Sequence, residues 1–570
     1  MSRLAEGTKL PQDRRADVAG ATRFSSPNSI ALLAAAWLAA VGNWPLWRSV
    51  LALPEMSGAR GLVFVGAMAV LVAALTALPL LLLAWRPLIK PAVTVFALVT
   101  ASAAHFIGTY GVVIDPTMMT NVLQTDVRES ADLLSLPLLL NLLLIAGLPL
   151  LWLWKRPLRQ LPLRRQALRN GLWTVATIGI AIAVLLLSFQ SLSGTMRNHK
   201  SLRYMINPMG SFWSLGVVAA RARATPSGPP QPVGLDARAV PAALPGAKPP
   251  LLLLVVGETA RADHFSLNGY GRPTNPQLAQ ISDLVSFGNV QSCGTSTAAS
   301  LPCMFSPFGR EAYLNRKGDT EGLLDVLQRA GLAVLWLDNQ SGCKGNCDRV
   351  PNAKTTDPAP GRFAPPASLC PGGECFDEAL LHDLDARVAA LDPQRRERGT
   401  VVVLHQMGSH GPAYSERSPA AFKPFEPECK TNVLQDCTRE ALVNAFDNSI
   451  VYTDHVLARA IAWLQTHAST HDASLLYVSD HGESLGENGL YLHGMPYAIA
   501  PAAQKHVPML IWTAERTRQN LALDMSCMVG KRDRELSHDQ LFHTTLGLVR
   551  VRSAEYQREL DALAVCRRAD

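Results

Sequence analysis

The strongest constraint on the fold of this chain is a series of long apolar runs, rich in Leu, Ala and Val, within its first 220 residues. An α-helix needs about 20 residues to cross a bilayer, and five runs approach that length. They lie near residues 29–46, 62–85, 90–113, 132–154 and 171–193. Asn43 and Pro45 interrupt the end of the first run. The sequence therefore predicts a transmembrane domain of five helices over residues 29–193.

The orientation of these spans follows from the basic residues near their ends. Residues 1–28 are polar and basic, with no pattern of a cleavable signal peptide. A second basic cluster crowds the connection between the fourth and fifth spans. It comprises Lys155, Arg156, Arg159, Arg164, Arg165 and Arg169. Because basic loops stay in the cytoplasm, five crossings place everything after about residue 194 outside. The formal net charge of +7 follows this membrane pattern, so we predict no nucleic-acid partner.

All ten cysteines lie in the second half of the chain. Their even number and close sequential spacing predict five disulfides and an oxidising compartment. The predicted pairs are Cys293–Cys303, Cys343–Cys347, Cys370–Cys375, Cys429–Cys437 and Cys527–Cys566. Reduced, metal-binding cysteines are the alternative, but these spacings do not form a paired CxxC zinc pattern. The cysteines and the membrane topology thus agree on an exported C-terminal half.

The loop after the third span, residues 114–131, is predicted to lie on the outer face of the membrane. Asn121, Thr125 and Glu129 recur in it at every fourth position, so on a helix they share one side. A solvated face of an amphipathic helix explains this spacing equally well. The pattern alone assigns no function to the three residues.

Residues 194–250 begin with an interfacial segment of aromatic and basic residues and end in a Pro-, Gly- and Ala-rich linker over 221–250. A soluble domain follows over residues 251–570. Apolar runs typical of buried strands lie at 251–256, 332–337, 400–404, 474–478 and 507–512. Helical patterns lie between them at 321–330, 378–391 and 439–466. Strands alternating with helices predict an α/β domain with a mostly parallel central sheet.

Carboxylates and imidazoles follow several of the predicted strands, where ligands bind in sheets of this kind. They are Glu258, His405, His410, Asp480, His481 and His493. Taken singly, each has an ordinary structural role as a helix cap, a turn residue or a hydrogen-bonded core residue. Together they predict a metal site, because burying unpaired carboxylates costs several kcal/mol each. Mixed nitrogen and oxygen ligands suit zinc best.

A segment of small, hydroxyl-bearing residues lies between Cys293 and Cys303, in the sequence SCGTSTAASLPCMFS. Its hydroxyls belong to Thr295, Ser296, Thr297 and Ser300. A loop closed at both ends could hold one hydroxyl in a fixed pose beside an activating metal, as a nucleophile requires. An ordinary disulfide-closed loop is the other interpretation, and the spacing does not select one hydroxyl over the rest.

These motifs, together with Ser409-His410-Gly411-Pro412 and the sequence SDHGESLGENGLYLHG from Ser479, resemble one family. The chain is similar to the lipid A phosphoethanolamine transferases, which include polymyxin-resistance enzymes of Gram-negative bacteria. The resemblance covers nearly the whole chain. It implies an alkaline phosphatase/sulfatase-like catalytic domain in the periplasm, anchored in the bacterial inner membrane by a multi-pass domain. It indicates no obligate protein partner.

For the reacting centre, the resemblance implies one catalytic zinc ion held by Glu258, Thr297, Asp480 and His481. It also implies that Thr297 is the nucleophile. The implied reaction transfers phosphoethanolamine from phosphatidylethanolamine to a lipid A phosphate, in a ping-pong cycle through a phosphoethanolamine–threonine intermediate. This modification lowers the negative charge of the outer membrane.

For the substrates, His410 and His493 match family residues that line the substrate site, act in proton transfer and hold a second zinc ion in some members. Lys344 matches a basic residue near the donor head group. Three residues of the outer loop match positions that bind the ethanolamine head. They are Asn121, Thr125 and Glu129. Gln340, near Lys344, stands where other members carry Asn.

Related activities give the alternatives. A sulfatase would need a CxPxR-type motif, whereas Gly-Thr-Ser-Thr follows Cys293 here. A phosphoglycerol transferase, or a phosphoethanolamine transferase acting on core sugars, periplasmic glucans or protein, fits the same residues. A non-catalytic membrane sensor is a different class of function, and the intact set of ligands and nucleophile argues against it.

Overall fold

The computed structural model describes residues 25–56, 58–125, 127–224, 228–241 and 247–568. The predicted cytoplasmic N-terminus therefore lies mostly outside the described residues, as do parts of the predicted linker. The chain forms two compact units. The first contains the described residues up to Ala104, with Leu140–Asn198 and Ile206–Met209. The second contains His105–Leu139, His199–Met205 and the described residues from Gly210 onward.

The helices before residue 225 are mostly apolar. They are α1 (Pro27–Ala40), α2 (Trp44–Leu51), α3 (Ala59–Leu82), α4 (Ile89–Tyr110), α5 (Pro116–Gln124), α6 (Val127–Asp132), α7 (Leu136–Leu142), α8 (Leu148–Lys155), α9 (Leu163–Asn198) and α10 (Met209–Ala224). A π-helical turn over Leu143–Gly147 connects α7 and α8. Within the described residues, four helices are long and apolar enough to cross a membrane. They are Gly61–Leu82, Ile89–Tyr110, Leu136–Lys155 and Leu163–Asn198.

The pair α1 and α2 becomes a fifth span if it is counted as one helix bent by 45°. The bend lies at the interruption that the sequence marks. Asn43 Nδ2 donates to the carbonyl of Leu38 at 2.9 Å. Pro45 lacks an N–H and cannot continue the helical ladder. The sequence predicts five spans, and the described residues contain four such helices, or five with this bent pair counted as one.

The segment predicted as an unstructured linker has some regular structure. Helix α10 continues to Ala224. A short strand, β1 (Arg238–Ala239), pairs antiparallel with β12 (Val551–Arg552) near the C-terminus. These elements were missed because they carry no hydrophobic periodicity.

The C-terminal part alternates helices and strands. Its helices are α11 (Thr297–Met304), α12 (Arg310–Leu314), α13 (Leu323–Arg329), α14 (Leu384–Ala389), α15 (Pro393–Arg396), α16 (Arg439–His467), α17 (Glu515–Asn520), α18 (Met525–Gly530) and α19 (Asp539–Leu548). Its other strands are β2 (Pro250–Gly257), β3 (Leu284–Gln291), β4 (Ala333–Asp338), β5 (Asn352–Lys354), β6 (Thr400–His405), β7 (Asp472–Ser479), β8 (Ser484–Leu485), β9 (Tyr491–Leu492), β10 (His506–Thr513) and β11 (Leu536–Ser537).

The central sheet has the strand order β11-β3-β10-β7-β2-β6-β4-β5. Every neighbouring pair is parallel except the two pairs that β10 forms with β3 and β7. The predicted mostly parallel sheet is therefore confirmed. The five apolar runs correspond to β2, β4, β6, β7 and β10. Strand β3 was missed because Gly288 and Asn289 interrupt its alternation of buried and half-buried residues.

Strand β2 lies at the centre of the sheet, and all its residues are buried. A strand covered on both faces requires a continuous apolar sequence, which explains the run LLLLVV. Strands β7, β2, β6 and β4 are parallel neighbours, so their carboxyl ends reach the same edge of the sheet. The residues that follow these strands therefore come together, and the candidate site lies there.

Candidate active site

Two carboxylates and an imidazole meet at the carboxyl ends of β2 and β7. Gly257 is in register with Ser479, so Glu258 and Asp480 follow on adjacent strands. His481 Nε2 lies 3.2 Å from Glu258 Oε1 and 3.4 Å from Asp480 Oδ2. All three side chains are fully buried. Their ligand atoms lie within 4.8 Å of one another, a spacing at which a single cation can be held.

The hydroxyl of Thr297 joins this cluster. Its Oγ1 donates to Glu258 Oε2 at 3.0 Å and lies 3.4 Å from His481 Nε2. With Glu258, Asp480 and His481 it makes a set of four oxygen and nitrogen donors. Four such donors match the number that Zn²⁺ takes in proteins.

Hydrogen bonding around the cluster also fits a metal. His481 Nδ1 donates to the carbonyl of Gly482 at 2.9 Å, so in the neutral ring the lone pair of Nε2 faces the two carboxylates. Metal-binding histidines are typically oriented by such a bond. Among the described residues, Glu258 Oε1 and Asp480 Oδ2 are buried without a hydrogen-bond partner. Buried carboxylate oxygens without donors are costly, and a divalent cation would remove that cost.

The pKa values in the cluster show how strongly its charges interact. Burial and the charge of Glu258 raise the pKa of Asp480 to about 6. Burial opposes the charged forms of Glu258 and His481 too, but the 3.2 Å contact between them and the attraction of their opposite charges prevail. The pKa of Glu258 falls to about 2, and that of His481, which Asp480 also raises, reaches about 10. The site therefore attracts one positive charge between its two carboxylates.

The backbone around Glu258 adopts conformations that ordinary residues avoid. Thr259 has a φ of +53°, in the left-handed region, and its N–H lies 3.3 Å from Asp480 Oδ1. Gly408 has a φ of +54°, and a Cβ there would lie 2.6 Å from the carbonyl oxygen of Glu258. Only glycine fits that approach. Such strain is typical of functional sites.

The loop that carries Thr297 is held at several points, and these contacts distinguish its hydroxyls. Helix α11 begins at Thr297. Thr295 Oγ1 donates to the carbonyl of Met495 at 2.6 Å, and Ser300 Oγ donates to that of Asp480 at 2.5 Å. Ser296 Oγ is buried without a hydrogen-bond partner in the described part of the chain. Thr297 is thus the hydroxyl of this loop that bonds to the carboxylate and imidazole cluster.

Five disulfides join the cysteines in sequential pairs. They are Cys293–Cys303, Cys343–Cys347, Cys370–Cys375, Cys429–Cys437 and Cys527–Cys566. The first closes the loop around Thr297, with Cα atoms 6.2 Å apart. The described cysteines include none that is free.

Removing the first disulfide should loosen the loop. We expect the double variant Cys293→Ser, Cys303→Ser to lose about 3 kcal/mol of stability, because a ten-residue cross-link no longer restricts the unfolded chain. Denaturant unfolding of the detergent-solubilised chain measures this loss, and transfer activity should fall with it. The matched control is the double variant of Cys343 and Cys347, whose bridge has a sequence separation of 4. Unchanged stability on loss of the Cys293–Cys303 bridge would contradict this expectation.

His538 supports the same loop, and sequence reasoning missed it. Its Nδ1 accepts from the N–H of Cys293 at 3.0 Å, and its Nε2 donates to the carbonyl of Ser479 at 2.9 Å. Burial lowers its pKa to about 4, so the ring is neutral and can make both bonds. His538 therefore connects the disulfide loop to the end of β7. It follows β11, a strand of two residues with no apolar run in the sequence, so no pattern indicated it.

A row of three histidine rings begins at His481 of the cluster and continues through His493 to His410. The ring centroids of His481 and His493 are 4.4 Å apart, and those of His493 and His410 are 5.4 Å apart. His493 Nδ1 lies 3.1 Å from Glu483 Oε2. Burial lowers the pKa of His410 to about 3. His405 differs from these three, because its Nδ1 pairs with Asp338 Oδ1 at 2.6 Å.

The segment that begins with α5 lines a cavity together with two of these histidines. Asn121 and Thr125 line a largely apolar cavity of about 290 Å³, together with His410 and His493. Helix α5 ends at Gln124, and Thr125 is extended with a ψ of 132°. Positions 121, 125 and 129 therefore do not share one helix. The N–H of Thr125 makes the last bond of α5, to the carbonyl of Asn121, and the extended ψ of Thr125 then turns the chain out of the helix. The side chain of Glu129 lies outside the described residues.

Arg417 fixes this arrangement and was not indicated by the sequence. Its Nε donates to the carbonyl of His410 at 2.8 Å. Its Nη2 donates to Oδ2 of Asp132, the last residue of α6, at 3.0 Å. A buried arginine with two such partners holds the backbone of His410 in place.

The loop predicted to carry a substrate-binding lysine approaches the cluster through a different residue. Lys344 Nζ donates to Ser341 Oγ at 2.9 Å and to the Ser341 carbonyl at 3.2 Å. Gln340 Nε2 donates to Glu258 Oε2 at 2.9 Å. Gln340 is therefore the member of this loop in contact with the cluster.

Comparison with known proteins gives two matching family models. A model described as Sulfatase matches residues 250–551. A second, described as Phosphoethanolamine transferase EptA/EptB, matches residues 71–222.

Two relatives are similar to this chain over most of its length. Phosphoethanolamine transferase EptA of Salmonella typhimurium is 42% identical over 83% of this chain and 85% of its own length. Phosphatidylethanolamine transferase Mcr-1 of Escherichia coli is 38% identical over 87% of this chain and 91% of its own.

One solved structure is similar to this chain over nearly its whole length. The integral membrane protein lipooligosaccharide phosphoethanolamine transferase A (EptA) of Neisseria meningitidis has a TM-score of 0.88 at 34% identity, covering 95% of this chain and 99% of its own. Its similarity confirms the expected pairing of a membrane half with a sulfatase-like catalytic half. Identity above one third across nearly the full length leaves one conclusion. The chain belongs to the phosphoethanolamine transferase family, with a sulfatase-like catalytic domain.

Proposed function

We propose that this chain transfers phosphoethanolamine from phosphatidylethanolamine to a phosphate of lipid A, with Thr297 as the nucleophile. One observation carries the proposal: Thr297 Oγ1 bonds Glu258 Oε2 at 3.0 Å within a cluster suited to a cation. The names of the relatives support both the transferred group and the donor. The acceptor rests on the resemblance of the sequence to lipid A transferases.

The metal would be one zinc ion held by Glu258, Asp480, His481 and Thr297. When bound, it supplies positive charge that favours the deprotonated form of a hydroxyl beside it. Glu258 Oε2 accepts the hydrogen bond of the Thr297 hydroxyl and so orients it. His410 and His493 are the side chains that would hold a second zinc ion.

In the first half-reaction, the Thr297 oxygen forms a bond to the phosphorus of the donor, and the bond from phosphorus to the diacylglycerol oxygen breaks. The leaving oxygen takes up the proton that the Thr297 hydroxyl gives up, and we assign the transfer of this proton to the row of His410 and His493. In the second half-reaction, a phosphate oxygen of the acceptor attacks the same phosphorus. The bond to Thr297 breaks, and its hydroxyl is restored with a proton from the site.

Electrostatics around Thr297 suit the charge that develops on the phosphoryl oxygens. Thr297 is the first residue of α11, and the positive end of a helix favours anions. Lys344 adds a positive charge from the Cys343–Cys347 loop. Such preorganised charges contribute most of the barrier lowering in phosphoryl transfer.

Binding of the donor is assigned to the cavity beside the histidines. Asn121 and Thr125 contribute polar groups to its largely apolar wall, which suits a lipid with a small polar head. We also assign a role in head-group binding to Glu129. The apolar helices support a location in the bacterial inner membrane, and the disulfides support a periplasmic catalytic domain.

Mass spectrometry of lipid A from Gram-negative cells that express the full chain tests this function. We expect added phosphoethanolamine on lipid A and reduced susceptibility to polymyxin. Cells that carry the empty vector are the control. Phosphoethanolamine or phosphoglycerol on core sugars, glucans or protein instead of lipid A would contradict the assigned acceptor. If lipid A, core sugars, glucans and protein all remain unmodified, the enzymatic proposal itself is contradicted.

A further inference from the structure

Two cations lie against one tyrosine ring beside the loop that carries Thr297. The guanidinium carbon of Arg310 is 3.6 Å from the centroid of the Tyr497 ring. Lys505 Nζ is 5.0 Å from the same centroid. All three side chains are half-buried. Two like charges around one ring repel each other, and an anion bound beside them would offset that repulsion.

The charges around this pair leave an excess of positive charge. Arg310 Nε donates to the carbonyl of Cys293 at 2.7 Å, and Lys505 Nζ lies 3.4 Å from the carbonyl of Tyr497. Asp539 is the carboxylate nearby, and its Oδ1 accepts from the backbone N–H of Arg310 at 2.9 Å. Within the described ranges, neither cation forms an ion pair. The charges of Arg310, Lys505 and Asp539 sum to +1. Burial, followed by the charge of Arg310, lowers the pKa of Lys505, an effect that an anion would reverse.

This cationic pair is connected directly to the nucleophile loop. Arg310 holds the carbonyl of Cys293, at the start of the disulfide loop. Tyr497 donates its hydroxyl hydrogen to the carbonyl of Ser292 at 3.0 Å. Two residues before Tyr497, the carbonyl of Met495 accepts from Thr295. The pair thus lies at the edge of the loop around Thr297.

We infer that Arg310 and Lys505 bind a second anionic group of the acceptor, a phosphate that does not react, while another of its phosphates approaches Thr297. The inference rests on the proposed function and adds the recognition of the acceptor. Lipid A carries phosphates at two positions of its disaccharide, so one can be held while the other reacts. Arginine and lysine are the side chains that bind phosphate in proteins. The zinc cluster and the histidines then act on the reacting group alone.

Kinetics of the purified full chain, with separate substrates, test this inference. Lys505→Met removes one charge at nearly constant volume and leaves the loop contact of Arg310 intact. We expect the KM for bisphosphorylated lipid A to rise about tenfold, the effect of losing one charge-assisted contact to a phosphate. Diacylglycerol release from phosphatidylethanolamine in the absence of acceptor should remain at the wild-type rate. For monophosphoryl lipid A, Lys505→Met should leave the KM unchanged.

Arg316→Gln is the matched control, because its guanidinium also stacks on a tyrosine, Tyr313 at 3.7 Å, but pairs with Asp319 at 3.1 Å. It should behave as wild type with both acceptors. Arg310→Lys should retain part of the acceptor affinity that Arg310→Gln loses, provided that both variants melt at the wild-type temperature.

Three results would overturn the inference. They are an unchanged KM for the bisphosphorylated acceptor in Lys505→Met, an equal rise with both acceptors, and slower diacylglycerol release, which would place the donor phosphate at this pair. Failure of the proposed function is distinguishable, because the wild-type chain would then release no diacylglycerol and modify neither acceptor.

Discussion

Replacing Thr297 by alanine should abolish transfer while leaving the chain folded. The substitution removes the oxygen that forms the bond to phosphorus, so we expect a loss of at least about 10³-fold in turnover. The folded state loses little, since the Thr297 hydroxyl contacts only the cluster itself. Lipid A mass spectrometry and diacylglycerol release from phosphatidylethanolamine measure the effect. A melting curve checks the fold.

Ser296→Ala is the matched control for that variant. Ser296 is buried next to Thr297, and its hydroxyl has no hydrogen-bond partner among the described residues. It should retain wild-type activity and stability. Lipid A modification that persists in Thr297→Ala would reject Thr297 as the nucleophile, and equal losses in both variants would indicate a general disturbance of the loop.

Asp480→Asn should release the metal and with it the activity. In the proposed site the variant replaces a charged ligand by a neutral one, so we expect zinc affinity to fall by about 100-fold or more and turnover to fall at least as far. Elemental analysis of the purified chain measures bound zinc directly. In the wild-type chain, a strong chelator should abolish transfer, and added Zn²⁺ should restore it.

Asp338→Asn serves as the control for the metal prediction. Asp338 is also buried at a strand end, but it pairs with His405 rather than with the cluster. Its variant should keep its zinc, although the loss of a buried charged pair should lower its stability. Full zinc content in Asp480→Asn would contradict the assignment of Asp480 as a ligand. Transfer that survives complete chelation would contradict the metal's role.

Sequence patterns predicted the parts of this structure that depend on hydrophobic periodicity. Strands β2, β4, β6, β7 and β10 are continuous apolar runs because they are buried, and such runs are visible without a structure. Strand β3 and helix α10 are not visible in this way, because their apolar residues follow neither the strand period nor the helix period cleanly. The bend after α1 was marked by Asn43 and Pro45, whose effects on a helix are local.

The site shows the same division. Glu258 and Asp480 follow buried strands, and the topology of a parallel sheet brings such residues together. Thr297 could be chosen among its neighbours from the sequence only through a resemblance, whereas the structure distinguishes it by hydrogen bonds. His538, Arg417 and Gln340 act through contacts between residues distant in sequence. No local pattern reports a contact of this kind, so sequence analysis missed His538 and Arg417 and noted Gln340 only as a departure from the family's Asn.

The burial of the cluster has a consequence for the lifetime of a bound metal. Glu258, Asp480 and His481 expose 0% of their surface, whereas Thr297 exposes 5%. A zinc ion could therefore leave, and a chelator could enter, only along the side on which the nucleophile meets its substrate. In the proposed cycle, phosphoethanolamine carried on Thr297 would close that side. Catalytic turnover would then protect the metal, and an idle enzyme in a zinc-poor periplasm would be the form that loses it.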